Sequence, residues 1–162
     1  MDVALELLAE RGVAGLTMRE LSSRLGVALG ATYRYVRSKH ELLRLVGDKL
    51  YDGIQPGDPS LDGYGQAKAV MVQVHAVLGQ YPGMATYIGQ HLGEFSSETV
   101  SKLALDALCS EGMSMKDAVR VMQAMSVYAA GQLLTGGSAG SEAFADGLDL
   151  LLAGARQQLS TR

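Results

Sequence analysis

From residue 21 to residue 40 the chain has no acidic side chain, yet Arg24, Arg34, Arg37 and Lys39 all fall there among hydroxyl and aromatic residues. The whole chain carries a formal net charge of -3, so its acids lie elsewhere, many of them in the second half. A basic stretch on an acidic protein is the electrostatic footprint expected of a nucleic-acid contact. On charge alone a solvated helix face explains it equally well. A second set suggests different chemistry. Met71, His75, Met84, Tyr87, His91, Phe95, Met122, Met125 and Tyr128 recur at helical spacing. Methionines and rings with a few polar tips can line an adaptable apolar cavity for a small molecule. The same stripe also reads as ordinary core, with its histidines hydrogen-bonded inside.

Catalysis has less support. The chain lacks a phosphate-binding glycine loop and a Gly-x-Ser-x-Gly elbow, and its three histidines and Cys109 have no nucleophile or metal-ligand spacing. His75 and His91 with Glu94 form the one arrangement able to hold a metal. A single cysteine excludes an intrachain disulfide framework and a cysteine-rich zinc site, which suits the cytoplasm. No apolar run approaches the roughly 20 residues that span a bilayer. The chain reads as a non-enzyme that calls for no cofactor, no metal and no membrane.

The elements that position these residues all read as helices. Residues 2–11 place Val3, Leu7 and Leu8 on one face and stop at Gly12. Thr17-Met18-Arg19-Glu20 and Ser38-Lys39-His40-Glu41 are capping boxes, each a hydroxyl followed three residues on by Glu. The first opens a short helix ending at Gly26. The second opens a longer one with Leu42, Leu43, Val46 and Leu50 on its apolar side, and residues 29–36 make a helix between them. Pro56, Gly57, Asp58 and Pro59 break the pattern and put a domain boundary between residues 1–53 and 54–162. Further helices follow over 64–80, 83–92, 96–110, 115–135 and 141–159. The expected fold is all-α.

Two short helices joined by Leu25-Gly26-Val27-Ala28 make a helix-turn-helix, in which Leu21, Leu25 and Val27 pack on Leu7, Leu8 and Leu16. Residues 7–43 resemble the TetR family. The parts that carry the likeness are Leu8-Ala9-Glu10-Arg11-Gly12, Leu16-Thr17-Met18-Arg19-Glu20-Leu21, Leu25-Gly26-Val27, Thr32-Tyr33-Arg34-Tyr35-Val36 and Lys39-His40-Glu41-Leu42-Leu43, in order and without gaps. The likeness covers about the first third of the chain. It implies a DNA-binding transcriptional repressor, released from an inverted-repeat operator by a small-molecule effector. It also assigns roles. Thr17, Tyr33 and Lys39 contact phosphate, and Arg19 reaches a base edge or the backbone. Ala28, Leu29, Gly30, Arg34 and Tyr35 face the bases, with Arg34 suited to a guanine. Leu29 stands where relatives often carry Ser or Thr, and Ala31-Thr32-Tyr33 where many carry Thr-Leu-Tyr.

The last two helices carry more apolar surface than one core requires. Ala118, Met122, Met125, Ala129 and Leu133 form one stripe of the first, and Val121, Ala124, Tyr128 and Gly131 a second. Phe144, Leu148, Leu151, Leu152, Ala155 and Leu159 make one face of the other. A four-helix bundle between two copies, as in the family, would bury both, with Leu148 and Leu152 in the interface. Such a homodimer presents two reading heads to double-stranded DNA. Two other readings are weighed: a helical protein-interaction module with a non-functional helix-turn-helix, and a metal- or ligand-binding enzyme.

Overall fold

The computed structural model describes residues 1–91, 98–138 and 140–160, and no strand occurs among them. The order is α1 (Asp2–Gly15), α2 (Met18–Leu25), α3 (Leu29–Tyr35), α4 (Lys39–Tyr51), α5 (Gly63–Leu78), α6 (Met84–Gln90), α7 (Glu98–Ser110), α8 (Met115–Leu134) and α9 (Glu142–Ser160). The hydroxyl half of each capping box forms. The Thr17 hydroxyl accepts from the Glu20 amide at 3.1 Å, and that of Ser38 from the Glu41 amide at 3.0 Å. These bonds satisfy amides that a helix start leaves without carbonyl partners. The Glu41 carboxylate reaches back one residue further than expected, accepting from the Arg37 amide at 2.6 Å. Gly26 ends α2 in the left-handed conformation, φ 65°, ψ 27°.

α1 departs from the expected stop. Its chain leaves helical geometry at Gly12 (φ 64°, ψ -178°) and then makes one more turn to Gly15. A distant contact explains the break. The Val13 amide donates to the Pro82 carbonyl at 2.9 Å, and a Cβ on Gly12 would lie 2.7 Å from that oxygen. The loop before α6 therefore presses on the end of α1.

The core begins with Leu7, Leu8, Leu16, Leu21, Leu43 and Val46, and continues through Val70, Met71, Met84, Leu108 and Met125 to Phe144 and Leu148. Two expectations about apolar side chains are corrected. Leu25 and Val27 do not pack inside the helix-turn-helix; they are 46% and 44% exposed. Phe144, Leu148 and Leu152 do not form an intermolecular face. They are buried within the protomer, because α9 turns that side onto α5 and α8. The side chain of Leu159 lies outside the described part. What α9 leaves exposed is Leu150 and, less fully, Leu151, while α8 leaves Val127 and Leu134. Val121, Ala124, Leu150, Leu151, Gly154 and Ala155 line an open groove of about 390 Å³ between the two helices. Within the protomer the pair packs closely: a Cβ on Gly147 would lie 2.0 Å from the Tyr128 hydroxyl.

Candidate functional site

α2 and α3 are locked together from inside. Thr32 and Ser22 are buried, and their hydroxyls share a hydrogen bond of 2.7 Å while Ser22 also donates to the Met18 carbonyl at 2.7 Å. With Thr32 turned inward, helical periodicity turns Gly30 and Arg34 to the opposite side with Tyr33 beside them; these three and Leu29, in the first turn, are exposed. Tyr35, at the end of α3, is 85% exposed. Ala28 is the N-cap of α3; Thr17 and Arg19, at the start of α2, are exposed too. A polar pair inside and a large ring in water outside is the reverse of what burial alone would favour, so the outward face is suited to a partner.

The cations of the basic stretch divide by what already holds them. Arg24 is tied to Glu10 by two charge-assisted hydrogen bonds, which join α2 to α1. That bonding lowers the Glu10 carboxyl below its ordinary range. Lys39 donates to the Val13 carbonyl at 2.6 Å, leaving two of the three ammonium donors for another acceptor. Arg34 makes no ion pair with any described residue.

The proposed cavity-lining side chains fall into two groups. Met71, His75, Met84 and Met125 are buried in one core, with Met122 and Tyr128 half-buried against it. His75 stacks on Phe144, ring centroids 3.7 Å apart, and Tyr128 stacks on the same ring at 5.3 Å. The Gly140 amide donates to His75 Nδ1 at 2.8 Å. An amide can only donate, so Nδ1 holds a lone pair and the proton of the neutral ring sits on Nε2. That N–H is buried without an acceptor among the described residues. Burial also holds the His75 pKa below the ordinary imidazole value, which favours the neutral ring. Tyr87 and His91 sit apart from this group, against the start of α4. The Tyr87 hydroxyl and His40 Nδ1 are 2.6 Å apart, the His40 and His91 rings 5.1 Å, and the His91 Nδ1 to Tyr87 carbonyl distance is 2.8 Å. Phe95 and Glu94 lie outside the described residues. No cluster of three metal-ligating side chains occurs among the described residues, and no described helix is long and apolar enough to cross a membrane.

Residues 1–46 match the family described as bacterial regulatory proteins, tetR family. Tetracycline repressor protein class A from transposon 1721, of Escherichia coli, is 31% identical over 138 residues, which are 81% of this chain and 62% of that protein. A TetR variant from Acinetobacter baumannii AYE, solved in complex with minocycline, superposes with a TM-score of 0.81 at 28% identity, covering 97% of this chain and 94% of that one. The chain is similar to TetR-family proteins in the sequence of its first 46 residues and in its fold. BioQ, solved with its natural double-stranded DNA operator, superposes on this TetR-family fold with a TM-score of 0.80 at 25% identity, over 95% and 93% of the two chains. The chain spans less than two thirds of the length of the curated relative, 62%.

Sequence reasoning missed two parts of the site. The Ser22–Thr32 bond joins residues ten apart whose types suggest solvent. The signal was Thr32 itself, a hydroxyl where the pattern of α3 calls for an inward side chain. His40 reads from the sequence as part of a cap and of the TetR likeness, and nothing local tells that its ring meets Tyr87 on α6 and His91 at the end of that helix.

Proposed function

We propose that this chain is a ligand-responsive DNA-binding repressor that works as a homodimer. One observation carries the reading: α3 holds Arg34, Tyr33 and Tyr35 in water on a basic, acid-free stretch while its inner face is pinned by Thr32. The match of residues 1–46 to the tetR family supports it, as do the operator complex of BioQ and the name of the tetracycline repressor. In this reading Thr17, Tyr33 and Lys39 hold phosphates and set register, with Arg19 beside them. Arg34 reads a guanine, and Ala28, Leu29 and Tyr35 offer apolar contact in the major groove.

The chain divides functionally near residue 53, with the reading head before it and the sensing and pairing part after it. Pairing falls to α8 and α9 through Val127, Leu134, Leu150 and Leu151, which are exposed in the protomer. The effector enters the core around Met71, His75, Met84 and Met125, where the His75 Nε2–H offers a donor to a carbonyl or anionic oxygen. Methionine side chains can make room for it. Coupling to the head runs through α6, whose Met84 lies in that core and whose Tyr87 meets His40 beside the DNA-facing Lys39. The minocycline complex of the Acinetobacter relative supports a small-molecule effector. Footprinting on the DNA upstream of the chain's own gene tests the reading. Protection of a short inverted repeat, relieved by a compound from a metabolite library, is expected; no protected segment would refute it.

A further inference from the structure

We infer that Gly30 is where the recognition helix comes closest to double-stranded DNA, with its backbone rather than a side chain against the duplex. The inference rests on the DNA-binding reading above and sharpens it. Glycine is among the poorest helix formers, and α3 is only seven residues long. Three reasons internal to the fold could justify a glycine there, and each fails. Gly30 is not among the positive-φ residues, so no left-handed turn needs it. A Cβ built on it would meet nothing within 4 Å, so no neighbour crowds it. It caps neither end, since Ala28 precedes α3 and Val36 follows it. The protein would hold its shape as well or better with alanine.

Position then points to the reason. Gly30 is one helical turn before Tyr33 and Arg34 on the exposed side of α3, the side opposite the buried Thr32. A methyl group there would move the helix surface outward by about 1.5 Å, one carbon–carbon bond. Hydrogen bonds from Arg34 to a base edge have a working range of only a few tenths of an ångström around 2.9 Å, so that displacement would break them. Gly89 supplies the contrast. It lies within α6, also at an ordinary φ and with open space for a Cβ, but away from the recognition helix.

The test uses duplexes recovered from a random library by the full chain, then compares the chain with Gly30→Ala and Gly89→Ala. Both variants should melt higher by about 2–4 °C, the gain typical of a better helix former in a protein of this size. Gly89→Ala should bind the recovered duplex as the parent does. Gly30→Ala should bind it at least tenfold more weakly. A Gly30→Ala protein that melts higher and binds equally well overturns the inference while leaving the DNA-binding reading intact. A Gly30→Ala protein that melts lower also overturns it, because the fold then requires the glycine. Failure of the parent to recover any sequence removes the DNA-binding reading, and this inference with it.

Discussion

Replacing Leu150 by Asp should dissociate the dimer and leave the protomer folded. Leu150 is 78% exposed on α9, and beyond the α8–α9 groove Val127 and Leu134 of α8 are 71% and 66% exposed. So much leucine and valine in water contributes little to the fold of one chain but a good deal to pairing. Full burial of a leucine side chain is worth about 1.5–3 kcal/mol. A twofold dimer buries each such residue twice, so the loss is about 3–6 kcal/mol before any cost of burying a carboxylate. That corresponds to a dimer Kd weakened by about 10²- to 10⁴-fold. Leu148 provides the control, because it is fully buried within the protomer. Leu148→Ala should cost about 2–5 kcal/mol of folding stability, and its effect should appear first as a lower melting temperature. Sedimentation velocity over a concentration series, with circular dichroism on the same samples, separates the two effects. A Leu150→Asp protein that remains a dimer at the parent's concentrations would refute the placement of the interface.

Four further outcomes follow from the geometry. Arg34→Ala should relax preference at one base pair by about 1–3 kcal/mol, measured against single-base operator variants; a uniform loss across sequences would mean that it touches only phosphate. Tyr33→Phe and Lys39→Ala should instead weaken binding to operator and random duplex by the same factor in fluorescence anisotropy. Thr32→Val removes the bond to Ser22 and should lower stability by about 0.5–1.5 kcal/mol in urea unfolding, since Ser22 retains the Met18 carbonyl. His75, whose folded pKa is depressed, contributes stability that is fully present above the unfolded imidazole value of about 6.5 and is lost as pH falls through the lower folded value. Urea unfolding of His75→Phe between pH 5 and 7 should therefore show a shallower loss at acid than the parent.

The local parts of this fold were legible and the long-range parts were not. Thr17, Ser38 and Gly26 announce helix ends through bonds and angles set within a few residues, and each does what its type suggests. Gly12 also announces a break, but the turn that follows depends on the Pro82 carbonyl, some seventy residues away. The side of α9 that faces inward could not be read from α9 alone. Leu148, Leu150, Leu151 and Leu152 are equally apolar, and only packing on α5 and α8 decides that the first and last are core. The outward face of α3 was readable because the helix-turn-helix is a compact pattern with fixed spacing. The methionine and histidine stripe was less so. Helical spacing groups Tyr87 and His91 with His75, whereas the chain path carries them to the start of α4.

The central claim is that α3 reads a specific DNA sequence. Fluorescence anisotropy with the inverted repeat and a scrambled duplex of equal length, over a series of salt concentrations, tests it most directly. The account predicts binding to the repeat at least about 10³-fold tighter than to the scrambled duplex near physiological salt, with log affinity falling linearly against log salt. Equal affinity for the two duplexes at every salt concentration would contradict it.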